Sequence, residues 1–153
     1  MVRDPGTVTA LAVGTAQITA KCGQVSGSGT LQVGFQCFPN LPQPQLGLLG
    51  VEDRGSFRYV NLTVSNRADL PAELFRISPD LPPCGLNQSA SRTWVDIYVD
   101  GQRVYGFCAL GAPENLNGIW FATSTTGPAL SRVYITLTDR RCNRVYQSTV
   151  LTL

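Results

Sequence analysis

Few residues of this 153-residue chain could do chemistry, and histidine is not among them. Without an imidazole, Ser-His-Asp and Cys-His nucleophile arrangements are excluded. The acids Glu52, Asp53, Glu73, Asp96, Asp100 and Glu114 are spread over turns and strands. No two of them suggest the carboxylate pair, about 5–10 Å apart, that a glycosidase needs. Asp100 is accounted for by a turn, and Asp96 is expected to bond Tyr105 or an arginine. Five cysteines, Cys22, Cys37, Cys84, Cys108 and Cys142, show no CxxC spacing, so zinc would need four thiolates gathered by the fold alone. Buried thiols or one or two disulfides are expected instead, with at least one thiol left over. Cys84 and Cys108 are the expected pair, because both flank one predicted hairpin. No EF-hand spacing is present. GSG at 27–29 lies between two predicted strands with no helix after it, so it reads as a hairpin turn and not as a phosphate cradle. The chain reads as non-enzymatic, with no catalytic residue, metal site or cofactor.

What remains is aromatic. In TWVDIYVDGQRVYGFC, Asp100-Gly101 marks a two-residue hairpin turn, because both positions tolerate positive φ. That register sets Val99 opposite Gln102, Ile97 opposite Val104 and Val95 opposite Gly106. The other face then carries Trp94, Tyr98, Tyr105 and Phe107 together. Such a face serves as core or as a subunit interface, with a carbohydrate platform as the alternative. Trp120 and Phe121, in GIWFAT, belong to the same set of large residues.

Composition restricts the partners. Hydrophobic residues make up 43% of the chain and charged ones 14%, which is a folding composition. Net charge is +2, and the eleven arginines are scattered with only Arg140-Arg141 adjacent, so nucleic acid is not an expected partner. No apolar run approaches the roughly 20 residues of a membrane span. MVRDPGTV lacks the apolar stretch of a secretory signal. The expectation is a chain not secreted under its own signal, or a piece of something larger.

The elements that must position these residues are strands. TVTAL, AQITAKC and GTLQVGF alternate apolar or small residues with polar ones, with Val8, Ile18 and Leu31 on the inward side. CFPNLPQPQLGLLG carries three prolines and reads as an extended connector. SFRYVNLTVSN sets Val60, Leu62 and Val64 against Tyr59, Asn61 and Thr63. GIWFAT, SRVYITLTD and RVYQSTVLTL complete the set. The expected fold is all-β: an antiparallel Ig-like β-sandwich over 51–153, preceded by a partial Ig-like sheet over 1–36 and a connector over 37–50.

Residues 6–33 resemble the closing part of the bacterial immunoglobulin-like group 2 (Big2) module. Gly-x-Val-Thr-Ala falls at Gly6–Ala10, Gly-Thr-Ala-x-Ile-Thr-Ala at Gly14–Ala20, and a Ser-rich turn leading to Thr-x-x-Val at Ser26–Val33. The family's opening strands and its Trp-Ser-Ser-like segment are absent. Residues 37–153 loosely resemble CARDB or adhesion-type sandwiches, in YVNLTVSN and VDIYVDGQRVYGF. Both resemblances imply non-enzymatic roles in surface proteins, and Big2 modules also occur in tailed-phage virions. They imply an accessory or decoration subunit of a larger assembly, located in a virion or at a cell surface. The alternative is a fragment of an adhesin that binds protein or carbohydrate. Three strands with a one-sided apolar face need a cover. The cover for Val8, Ile18 and Leu31 is the second domain, the proline-rich segment or a neighbouring chain, and the expectation is a protein subunit of the same or a neighbouring type that completes the sheet at its edge.

Overall fold

A computed structural model describes residues 14–127, 129 and 132–153. Val8 and the strand expected around it lie outside the described residues. The chain divides into two units, Met1–Cys37 and Phe38–Leu153.

In the first unit, β1 (Gly14–Cys22) and β2 (Val25–Val33) form an antiparallel hairpin with Gly14 opposite Val33 and Cys22 opposite Val25. The turn is Gly23-Gln24, with Gly23 at φ 62°, a conformation that favours glycine. This corrects the turn expected at GSG. Residues 27–29 lie inside β2, opposite Ala20, Thr19 and Ile18.

The second unit is an antiparallel β-sandwich. One sheet runs in the order β3 (Leu46–Arg54), β4 (Phe57–Val64), β7 (Asn117–Ser124). The other runs β10 (Leu151–Thr152), β8 (Arg132–Asp139), β5 (Thr93–Val99), β6 (Gln102–Ala109), with β9 (Arg144–Gln147) also paired to β8. Helical structure among the described residues is limited to three 3-10 turns, Arg67–Asp69, Ala72–Phe75 and Pro113–Leu116. Leu46–Gly50, expected as the end of the connector, is already the first half of β3. The prolines at 39, 42 and 44 all precede it, so nothing in Leu46–Gly50 blocks a ladder.

Period-2 alternation builds the core. Val60, Leu62 and Val64 of β4 and Ile119 and Phe121 of β7 face Val95, Ile97 and Val99 of β5 and Val133, Ile135 and Leu137 of β8. Phe75, Leu74 and Leu116, from the 3-10 turns, close the ends. At the rim, Asp139 is buried and paired with Arg92, whose Nε and Nη2 donate to Oδ1 and Oδ2 at 2.9 and 2.7 Å. Arg92 also lies over the ring of Phe38, 5.4 Å from its centroid.

The β5–β6 hairpin departs from the expected register. Asp100 and Gly101 both have positive φ, as the turn requires, and Val99 and Tyr98 pair with Gln102 and Arg103. Val104 is then a bulge, and Ile97 pairs with Tyr105, Asp96 with Gly106, and Val95 with Phe107. A one-residue shift moves every later side chain to the other face. Tyr105 and Phe107 therefore point to the side of Val95 and Ile97, not to the side of Trp94 and Tyr98. Packing explains the choice. The bulged register packs Phe107 against the core and leaves Gly106 on the outer face, whereas the even register would do the reverse.

Candidate functional site

The described residues expected at an interface, Ile18 and Leu31 on the hairpin and Trp94, Tyr98, Tyr105 and Phe107 on one aromatic face, belong to three places. In the first unit, the hairpin register sorts its residues by chemistry. One face carries Ala16, Ile18, Ala20, Val25, Leu31 and Val33, and the other carries Thr15, Gln17, Thr19, Lys21 and the hydroxyls of Ser26, Ser28 and Thr30. Gly27 and Gly29 sit on the apolar face opposite Ala20 and Ile18, which leaves a shallow trough there. Ile18 and Leu31, at 36% and 38% exposure, are open to solvent, and Val25 is more so. Cys22, at the end of β1, is an exposed free thiol.

Trp94 and Tyr98 form the second place, on the outer face of the β5-containing sheet. Tyr98 stacks on Tyr134 with ring centroids 4.9 Å apart. Trp94 Nε1 donates to Asp96 Oδ1 at 2.8 Å, and the same oxygen accepts from Arg103 Nε. Asp96 thus takes an arginine and Trp94 as partners and not Tyr105. Gly106, opposite Asp96, forms the floor beneath this trio. The cluster's polar groups are partnered within it, and the half-buried Tyr98 ring is stacked on Tyr134.

The third place was not legible as a unit. Tyr105 and Phe107, displaced by the Val104 bulge, stand 6.0 Å apart by ring centroid. Tyr105 continues to Trp120 at 6.5 Å, and Trp120 to Tyr59 at 5.8 Å. Arg54 lies over Tyr59 at 5.4 Å. This row crosses β6, β7, β4 and β3, and Tyr105 and Trp120 are about half exposed, at 47% and 54%. Two more bulges shape it. Leu49 is the extra residue between Leu48 and Gly50 in β3, and Gly118, at φ 83°, is the extra residue at the start of β7. Between Trp120, Tyr59 and β3 lies a cleft of about 480 Å³, lined also by Leu49, Gly50, Glu52 and Asn61. The signal for it existed in two separate strands. Trp120 alternates with Ile119 and Phe121, and Tyr59 and Asn61 alternate with Val60 and Leu62. Nothing local showed that those strands are neighbours.

Six carboxylates are paired with arginines. Glu52 pairs with Arg54, Asp53 with Arg58, Glu73 with Arg76, Asp80 with Arg141, Asp96 with Arg103 and Asp139 with Arg92. Arginine hydrogen bonds hold the carboxyls of Glu52, Asp53 and Asp80 below their ordinary range. For Asp139, burial pushes the carboxyl up, but the hydrogen bonds from Arg92 and from the Arg141 and Cys142 amides outweigh it, and the net shift is downward. Such groups stay ionised at neutral pH and are poor proton donors. Among the described residues, no three metal-ligating side chains come together. No helix among them is long and apolar enough to cross a membrane. Cys84 and Cys108 form a disulfide with Cα atoms 6.0 Å apart, joining the loop before β5 to β6. Cys37 and Cys142 are disulfide-bonded as well.

No family model, curated protein or solved structure matches this chain.

Proposed function

We propose that the protein is a non-enzymatic structural subunit, whose N-terminal hairpin docks its apolar face on a protein neighbour in a larger assembly. The observation that carries this reading is the two-faced hairpin. A two-stranded hairpin is marginal in water by itself, and among the described residues this one exposes Ala16, Ile18, Ala20, Val25 and Leu31, beside the half-buried Val33, on a single side. A neighbour of the same or a related type supplies the missing cover by β-augmentation or face packing. The Big2-like motif fits this role, since its second and third segments correspond to β1 and β2. A tailed-phage virion, with this chain as an accessory or decoration subunit, is the setting the reading favours. The arginine-paired carboxylates support a role without catalysis.

Amide exchange and sedimentation test the reading on the whole protein carrying Cys22→Ser, which prevents crosslinking through that thiol and leaves the disulfides intact. The Ile18 and Leu31 amides are expected to exchange fast in dilute monomer and to become protected as concentration or a partner drives assembly. A compact monomer with slow exchange at both amides would overturn it. The second reading is a fragment of a surface adhesin, and the exposed Trp120–Tyr59 cleft is the observation that favours it.

A further inference from the structure

We propose that the cleft between β3, β4 and β7 is a binding site for a neutral saccharide, with Trp120 as the stacking platform. Its shape comes from a specific absence. Gly50 stands opposite Asn61 and Trp120 across the ladder, and a Cβ built on it would meet nothing within 4 Å. The sheet surface is therefore hollow beside two large rings. The bulge at Leu49 brings that apolar side chain into the lining as the third wall. A volume of about 480 Å³ lies within the range of about 300–1,000 Å³ that small-molecule sites occupy.

The lining chemistry selects the ligand class. A pyranose ring has apolar C–H faces and a polar hydroxyl rim, so it needs an exposed aromatic face with hydrogen-bonding groups at its edge. Trp120 supplies the face, and the Tyr59 ring beside it, covered by Arg54, forms a side wall. Asn61 offers both a donor and an acceptor, the Glu52 carboxylate accepts from hydroxyls, and the Arg54 guanidinium donates to them. Charge then excludes the competitors. Glu52 and Arg54 are paired at 2.8 Å, so they leave no net charge in the lining. A cationic ligand would find the Tyr59 face already covered by Arg54. An anionic one would meet Glu52. A neutral, polyhydroxylated ligand satisfies the same groups without separating the pair. Tyr105 continues the aromatic surface beyond Trp120, so the platform extends past a single sugar unit.

The site is independent of the hairpin, and its test reads a different signal. Neutral methyl pyranosides of gluco, galacto, manno and N-acetylglucosamine type, and their short oligomers, are titrated at millimolar concentration against the intact ¹⁵N-labelled protein. At least one is expected to shift the Gly50, Asn61 and Trp120 signals saturably, with the oligomer binding tighter than the monomer. Trp120→Ala is expected to weaken binding about tenfold or more, the loss of one good aromatic contact. Gly50→Leu fills the hollow in a backbone conformation open to any residue, and is expected to abolish binding with the melting temperature unchanged. No saturable shift with any sugar, or shifts that survive Gly50→Leu, would overturn the site. Tighter binding of a choline or uronate control than of every neutral sugar would overturn the ligand class. Loss of assembly by a hairpin variant leaves all of these readouts in place.

Discussion

Arg92 and Asp139 show how a charge is kept inside a small sandwich. Their side chains are 5% and 0% exposed, joined by two hydrogen bonds, with Arg141 N donating a further bond to Asp139 Oδ1 at 3.1 Å. Asp139→Ala leaves the guanidinium buried without its counter-charge, and is expected to cost about 3–5 kcal/mol in urea unfolding. The folded carboxyl titrates below its unfolded value, so its contribution is full above the unfolded pKa and is lost as pH falls through the folded one. Wild-type stability is therefore expected to hold from neutral pH to roughly pH 4 and to drop below it, a drop that Asp139→Ala flattens. Gly106 is the second residue whose identity is imposed by neighbours. A Cβ there would collide with the Arg103 guanidinium and sit 2.5 Å from Asp96 Oδ1 and 2.9 Å from the Trp94 ring. Gly106→Ala is expected to cost about 1–3 kcal/mol. Arg103→Ala in the same chain should recover part of that loss, measured by thermal melts.

Elements here are defined by their irregularities as much as by their periods. The Val104 bulge decides which aromatics meet, because it sends Tyr105 and Phe107 to the core side of β6 and leaves Gly106 under Asp96. Deleting Val104 keeps Ile97 opposite Tyr105 and Trp94 opposite Cys108, and only removes the extra residue. The deletion is expected to fold, to lose less than about 2 kcal/mol and to retain the Cys84–Cys108 disulfide, read by mass spectrometry of the unreduced digest. Loss of the bridge, or a much larger loss of stability, would mean that the bulge itself is needed for this pairing. In β2, Gly27 and Gly29 looked like a turn because glycine and serine punctuate loops. The earlier Gly23-Gln24 pair closes the hairpin instead, and a strand with no packed face tolerates small residues at every second position.

At the scale of the whole molecule, the hydrophobic core and the exposed apolar face of the hairpin belong to different units. Among the described residues, the hydrophobic core lies in Phe38–Leu153, and the β1–β2 hairpin contributes none of it. Ile18→Asp is therefore expected to leave the melting temperature within about 2 °C of wild type, as surface substitutions do, and yet to abolish concentration-dependent association in sedimentation. A melting temperature that falls with association would instead tie the hairpin to the core.

The sequence alone determined the all-β class, the division of β4 into Val60, Leu62 and Val64 against Tyr59, Asn61 and Thr63, and the Asp100-Gly101 turn. Each follows from side-chain alternation or from the φ requirement of a single position, and both are local. It did not show that Val95 and Ile97 of β5, and not Trp94 and Tyr98, face the core. It also divided each hairpin strand by alternation, Ile18 against Thr19 and Leu31 against Gln32, but only the Gly23-Gln24 turn puts Ile18 and Leu31 on one face, since a three-residue turn at 27–29 would set them on opposite faces. Tertiary structure alone decided that Tyr59, Trp120 and Tyr105 meet. They come from strands far apart in the chain, β4 pairs with β7 across an intervening hairpin, and three bulges set the final registers. A period of two records which side a residue faces relative to its neighbours. Which strand lies alongside, and where one extra residue is absorbed, is settled by competition for burial across the whole core, as when Phe107 displaces Gly106 from it.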